Sequence, residues 1–143
     1  MLAQLLVGSA LVCFSIVVMV GFISVAIVML KRIGTWLVEG NPIIRMMVSL
    51  SGVVLWLLAA LTVAVWIWAA AFFLLGLFET FEESLYLAAV AFTTLGFGDV
   101  VIGKDWRLLA GLIAANGLIL FSLVTAFLIE FVSQLRRAQN ERD

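Results

Sequence analysis

Charged side chains are missing from three long stretches of this chain. Met1–Leu30 carries none, Met46–Phe78 carries none over 33 residues, and Leu108–Ile129 carries none over 22. A helix needs roughly 20 consecutive apolar residues to cross the hydrocarbon core of a bilayer. Each stretch is long enough, so the pattern predicts three transmembrane helices, over about 3–30, 47–77 and 106–133. The middle stretch exceeds a perpendicular span, which implies tilt or an end projecting into the interface. Pro42, the only proline, lies just upstream of it, where proline starts a helix rather than breaking one. About 28 residues between the second and third stretches must leave the membrane and re-enter it. Glu79-Thr80 reads as a turn. Glu82–Thr93 reads as a short helix, with Thr80 or Phe81 near its start and Glu82 and Glu83 complementing its positive end. That segment is too short and too interrupted to span.

Composition narrows the class. The chain is 66% hydrophobic and 12% charged, with a mean hydropathy of +1.29. A soluble domain of this size has no use for so much apolar surface. Cys13 is the only cysteine, and there is no histidine. An intrachain disulfide is excluded, and Cys13 reads as a small packing residue. A His-based catalytic site or a transition-metal site is not supported, and no nucleophile–base constellation points to an intramembrane enzyme. No basic residue precedes the first stretch, whereas Lys31-Arg32 follow it. A cleaved signal peptide has the opposite polarity, so the first helix reads as a signal anchor with its N-terminus outside.

The few basic residues predict topology. Lys31, Arg32 and Arg45 lie between helices one and two, and Arg136, Arg137 and Arg142 follow helix three. Only Lys104 and Arg107 lie in the other loop. By the positive-inside rule the first loop and the tail are cytoplasmic. The opposite loop, with Glu79, Glu82, Glu83, Asp99 and Asp105, is acidic and extracytoplasmic; in a bacterial inner membrane that side is the periplasm. It reads equally as an ordinary solvated loop or as a vestibule that concentrates cations.

Within that loop, Thr93-Thr94-Leu95-Gly96-Phe97-Gly98-Asp99 reads TTLGFGD. A dehydrated cation needs a ring of oxygens, which backbone carbonyls supply when successive peptides aim at one axis. Some positions must then take φ > 0, which Gly96 and Gly98 do without a Cβ penalty. Thr94 adds a hydroxyl at the inner end, and Leu95 and Phe97 turn away and wedge the loop open from behind. The bland alternative is a glycine turn between two apolar segments. Tyr86, Val90 and Thr94 fall at i, i+4 and i+8, one helix face, which is expected to pack behind the loop. The preceding helix is expected to point the partial negative charge of its C-terminus at a central cavity.

TTLGFGD resembles the selectivity-filter signature of potassium channels. Leu85–Arg137, more than a third of the chain, is similar to the pore helix, filter and inner helix of the small bacterial two-helix potassium channels. The resemblance implies an all-α membrane protein with three transmembrane helices, a re-entrant pore helix and filter loop between helices 2 and 3, and tetrameric potassium-channel pore architecture. It implies that Thr94, Leu95, Gly96, Phe97 and Gly98 bind K⁺, supported by Thr93, Asp99, Tyr86 and Val90. Trp106-Arg107 resembles the start of the family's inner helix. Gly117 falls at its hinge glycine, and Phe121 and Thr125 at its cavity-facing pair, on one stripe with Leu118. Phe97 replaces the usual tyrosine, so a bracing hydroxyl is absent. Val90 stands where some relatives place a glutamate that couples to the aspartate, which leaves Tyr86 as the expected partner of Asp99.

Asn116 and Glu130 are uncommon in an apolar helix and suggest specific roles. Asn116 is expected to hydrogen-bond to a neighbouring helix. Glu130 is expected to pair with Arg45, Lys31 or Arg32, or to titrate at an inner gate. No helix carries arginine at every third position, which argues against a voltage sensor, and the tail after Ser133 is too short for a ligand-binding domain.

The organisation expected is an N-terminal helix and connection over 1–45, a pore domain over 46–135 and a tail over 136–143. The first helix, with Gly8, Ser9, Ser15, Gly21 and Ser24, is expected outside the pore ring, packed against the second helix. The leading function is a K⁺-selective homotetrameric channel in membrane lipid, with no organic cofactor and no nucleic-acid partner. The alternatives are a weakly selective cation channel, a non-conducting subunit or scaffold, and an ion-coupled transporter.

Overall fold

The computed structural model describes residues 1–33 and 42–140. It contains four helices: α1 (Leu2–Ile33), α2 (Pro42–Leu74), α3 (Phe81–Phe92) and α4 (Leu108–Asn140), with no strand among the described residues. Three are long and apolar enough to cross a membrane, over Leu2–Met29, Met46–Leu74 and Leu108–Gln134. The chain is an all-α membrane protein. The short α3 packs against both α2 and α4.

The ends of these helices have local causes. Pro42 opens α2, where its fixed φ is favourable and its missing N–H is not needed. The helix stops at Leu74, three residues short of the expected end. Gly76 takes φ +68°. Its N–H donates to Phe73 O at 3.0 Å, and the Leu77 N–H donates to Phe72 O at 3.1 Å. This pair of bonds is the Schellman motif, in which a left-handed glycine satisfies the carbonyls a helix end leaves free. α4 begins two residues after Trp106 and continues to Asn140, beyond the expected 133.

The core lies where α2, α3 and α4 meet. Trp68 and Phe72 of α2, Phe92 of α3, and Leu109, Ile113 and Leu120 of α4 are fully buried there. Small residues on α2, Ala60, Ala64 and Ala69, are buried in the same core and permit close helix packing.

α1 packs against α2, as expected, and equally against α4, which the sequence did not indicate. The reason is Gly8: a Cβ there would overlap the Leu112 side chain and meet Leu109 Cδ2 at 3.1 Å. Glycine therefore lets the two helices approach side by side. Gln4 Nε2 donates to the Asp105 carbonyl, just before α4 begins. The N-terminal end of α1 thus sits at the same end of the bundle as the loop that carries Asp99. Further along, Trp56 Nε1 donates to Phe22 O at 2.9 Å, and the two rings lie 5.0 Å apart. Ser15, Met19 and Ala26 are buried at the contact, while Phe14, Val17 and Val28 remain on the outer face.

The Trp56–Phe22 bond generates a prediction. Trp56→Phe keeps the aromatic contact and removes the donor, so it should cost about 1 kcal/mol. Denaturant unfolding of the purified protein in detergent measures this; an unchanged midpoint would show that the bond does not fasten α1.

Candidate pore loop

α3 is fixed at its start by its own sequence. Thr80 is extended (φ −119°, ψ 148°), and its side chain accepts from the Glu83 N–H at 3.2 Å. This is an N-cap, and Thr-x-x-Glu is the capping-box spacing. Glu82 and Glu83 lie in the first turn, where negative charge is favoured. Phe81 makes edge contacts with Trp66 (5.9 Å, 62°) and Phe73 (6.0 Å, 83°) of α2. Aromatic pairs of this geometry stabilise beyond their buried area. They set where the short helix enters.

The end of α3 shapes the loop. A helix leaves its last four carbonyls free. Here the loop's own N–H groups take three of them. Thr93 N–H donates to Ala89 O at 3.1 Å, Thr94 N–H to Ala91 O at 3.0 Å, Leu95 N–H to Val90 O at 3.0 Å, and Gly96 N–H to Val90 O at 3.4 Å. No peptide is cis. In a trans peptide the carbonyl points opposite to the N–H it shares a plane with. The carbonyls of Thr93, Thr94 and Leu95 must therefore point away from α3, three in succession on one side.

The backbone angles agree. Thr94, Gly96 and Gly98 have φ of +60°, +59° and +79°, while Leu95 and Phe97 between them are not left-handed. Such alternation gathers successive N–H groups on one side, which leaves the carbonyls on the other. Glycine at 96 and 98 adopts this freely. Thr94 is a non-glycine residue in the same region and carries some strain. Thr93 is anchored separately, its hydroxyl donating to Ala89 O at 2.7 Å.

Behind the loop, Tyr86 Oη donates to Asp99 Oδ2 at 2.6 Å. That hydroxyl, with the backbone N–H groups of Asp99 and Val100, holds the Asp99 carboxyl below its ordinary value of 3.8 against partial desolvation. The same bond, then desolvation and the negative charge of Asp99, raise the Tyr86 phenol above 10.0. Val90 is buried and contributes mainly its carbonyl oxygen. Leu95 and Phe97 do not find a wedge within their own chain: they are 61% and 67% exposed, and residues 93–99 are all exposed.

On α4, Gly117 is buried against the end of α3. A Cβ there would overlap the Phe92 carbonyl oxygen and lie 2.9 Å from the carbonyl carbon. Glycine at 117 is thus required for close approach, a reason distinct from the hinge that the resemblance implies. Leu118, Phe121 and Thr125 are exposed on one face of α4, and the Phe121 ring packs 5.7 Å from that of Phe92. Asn116 departs from expectation. It is fully buried, and neither its Oδ1 nor its Nδ2 has a partner among the described residues. Ile113 and Leu120, one turn to either side, are buried in the apolar core and offer it none. Glu130 accepts from Gln134 Nε2 at 2.9 Å, a local i, i+4 bond. Its other expected partners, the side chains of Lys31, Arg32 and Arg45, lie outside the described residues.

Sequence reasoning placed Phe81 near the start of the short helix but not its aromatic contacts, and it missed Gln4 and Gly76. Gly76 lies near the end of the apolar run Met46–Phe78, and glycine there is a recognised helix-stop signal. Gln4 is the lone amide near the start of an otherwise apolar helix, but its partner is 101 residues away.

A re-entrant short helix and loop held between two membrane-length helices define a pore-loop membrane protein. Residues 60–134 match the family model described as Ion channel, and the chain belongs to that family. The match takes in the outer half of α2, all of α3 and the loop, and most of α4; α1 lies outside it. No curated protein and no solved structure matches the chain.

Two predictions follow from this geometry. Gly117→Ala forces a methyl against a backbone carbonyl that cannot rotate aside, so it should destabilise by about 1–3 kcal/mol. Thermal unfolding in detergent checks it, and an unaffected melting temperature would contradict the contact. The second concerns the Tyr86–Asp99 bond. Asp99 is lowered and Tyr86 raised, so the bond's contribution is present between 3.8 and 10.0. It fades as pH falls through the lowered Asp99 value and as pH rises through the raised Tyr86 value. Tyr86→Phe should lower thermal stability throughout that window and move the acid limb of the stability profile to higher pH. Superimposable pH–melting profiles for the two proteins would mean that the bond contributes nothing.

Proposed function

We propose that this chain forms a potassium-selective channel, passing dehydrated K⁺ down its electrochemical gradient through a ring of TTLGFGD loops. The observation that carries this reading is the row of carbonyls at Thr93, Thr94 and Leu95, turned away from α3 by the bonds their peptide partners make. Oxygens from Thr94, Leu95, Gly96 and Phe97, with the Thr94 hydroxyl and the following Gly98, replace the hydration shell of the ion. Thr93, Val90, Tyr86 and Asp99 hold that backbone from behind. Leu118, Phe121 and Thr125 line the inner cavity, where no charge binds the ion tightly.

The pore is a homotetramer. One loop per chain cannot close a ring, and filters of this kind use four. The exposed state of residues 93–99 in one chain supports assembly. Non-helical backbone at membrane depth must be buried in protein or line water. Leu95 and Phe97 then wedge against neighbouring subunits. The pore domain spans 46–135, with 1–45 as a peripheral helix and connection and 136–143 as a tail. Six basic residues against two support a cytoplasmic C-terminus and an outside N-terminus. The membrane is the inner membrane of a bacterium.

The test is flux from purified protein in liposomes under separate K⁺ and Na⁺ gradients, with Gly96→Ala beside the wild type. A Cβ at φ +59° opposes the left-handed backbone by about 1–2 kcal/mol in every subunit. The wild type should pass K⁺ and exclude Na⁺, Gly96→Ala should pass neither, and native mass spectrometry should count four chains. Equal Na⁺ flux would reveal a weakly selective channel. Folded tetramers without flux would reveal a non-conducting subunit, and normal flux from Gly96→Ala would refute the filter assignment.

A further inference from the structure

We propose that Gln4 of α1 is a positioning residue for the outer end of the filter, so that the extra helix acts on conduction as well as anchoring the chain. The inference rests on the reading of residues 93–99 as the filter. The Gln4 side chain is 8% exposed, and its Nε2 donates to the Asp105 carbonyl. Asp105 lies six residues after Asp99 and three before α4 starts. The segment between is tied down at few points. Ile102 is buried, Trp106 is half-buried, and the Trp106 N–H donates to Gly103 O at 3.0 Å. One turn along α1 from Gln4, Gly8 interlocks with Leu109 and Leu112 in the first turns of α4. Two adjacent contacts on α1 therefore grip the stretch that joins the filter to the inner helix.

The cost of this arrangement marks it as specific. Gln4 Oε1 is buried without a partner among the described residues. A leucine would fill the space and leave no orphan acceptor, as the other apolar residues of α1 do. What the amide gains in return is the one bond its Nε2 makes to the Asp105 carbonyl. When α1 shifts, that bond moves the Asp105 carbonyl. Through residues 99–105 it also moves the Asp99 carboxylate that Tyr86 holds. Selectivity resides in the filter carbonyls, so α1 governs how long the filter stays conducting and leaves the choice of ion unchanged.

Gln4→Leu and Gln4→Glu test this together. The readout is the rate at which K⁺ flux through reconstituted liposomes decays, with K⁺ over Na⁺ selectivity measured alongside. Gln4→Leu removes the donor, and decay should accelerate about fivefold at any pH, as expected for one lost hydrogen bond. An ionised carboxylate only accepts, whereas a protonated carboxyl donates from its O–H. Gln4→Glu should therefore decay fast at pH about 7.5 and return towards the wild-type rate at about 4.5, since burial raises the introduced carboxyl above its reference value of about 4.3. The charged groups of the two elements at this end are the Met1 amine on α1 and Lys104, Asp105 and Arg107 in the loop. All are present in the wild type, which run at both pH values corrects for their titration. Asp99 is held below 3.8, so its own bond persists at the lower pH.

Recovery of Gln4→Glu by acid, with selectivity unchanged in both variants, supports the proposal. A role limited to packing would leave Gln4→Glu indifferent to pH relative to the wild type, and that result overturns it. Wild-type decay rates in Gln4→Leu overturn it as well. A wild-type chain that carries no selective K⁺ flux removes the filter reading, and the inference with it, before any variant is compared.

Discussion

Everything at the pore loop depends on a single helix end. The last turn of α3 has carbonyls that no further turn can use, and the chain returns to fill them. Val90 O accepts from both Leu95 and Gly96, and Ala89 O and Ala91 O accept from Thr93 and Thr94. These bonds satisfy donors that would otherwise be orphaned in a region where lipid offers no partner. Peptide planarity then dictates where the matching oxygens go. The carbonyl-bearing side of the loop is thus a consequence of capping: the helix takes the N–H groups, and the carbonyls have only the opposite side left. The left-handed angles at Gly96 and Gly98 let the same arrangement continue for two more residues.

The rest of the fold serves to hold that helix end in place. Phe81 fixes the start of α3 against Trp66 and Phe73, and Thr80 caps it. At the other end, Gly117 admits the Phe92 carbonyl against the backbone of α4. A twelve-residue helix is too short to be stable by propensity alone. Its position comes from these tertiary contacts, which explains why α2, whose sequence is merely apolar, carries its aromatic residues at 66, 68, 72 and 73. Tyr86 adds a strut from α3 to Asp99, the last residue of the TTLGFGD loop.

Much of this was legible in the sequence, for identifiable reasons. Long uncharged runs give membrane helices because bilayer thickness imposes a length. The glycines at 96 and 98 and the Tyr86–Asp99 pair were readable because special backbone angles and helical spacing are local properties. Three features were not readable. The Phe92–Gly117 contact needs the relative position of two helices, and glycine in an apolar helix has many uses. Asn116 was expected to find a partner because buried amides usually do; none of the described residues offers one, which no spacing along α4 reveals. The docking of α1 on α4 was hidden for a further reason. A helix apolar on every side has no face that announces its partner, and the one polar clue, Gln4, bonds to a residue distant in the chain.

That last case bears on how an added helix becomes part of a channel. The ion channel match covers 60–134 and leaves α1 outside. Hydrophobic association supplies no drive in lipid, so α1 needs close packing and a few polar contacts to stay where it is. Gly8 provides the first, and Gln4 and Trp56 the second, at opposite ends of the contact. The Trp56 bond joins α1 to α2, which lies behind the pore helix. The Gln4 bond joins it to the stretch that runs from the TTLGFGD loop to α4. A helix fastened at both places cannot tilt without pulling one against the other. The lipid-facing side of α1, with Phe14, Val17 and Val28, is therefore mechanically continuous with residues 99–109. A peripheral position in the bundle is compatible with influence on the loop, because the contacts, rather than distance from the axis, decide what the helix can move.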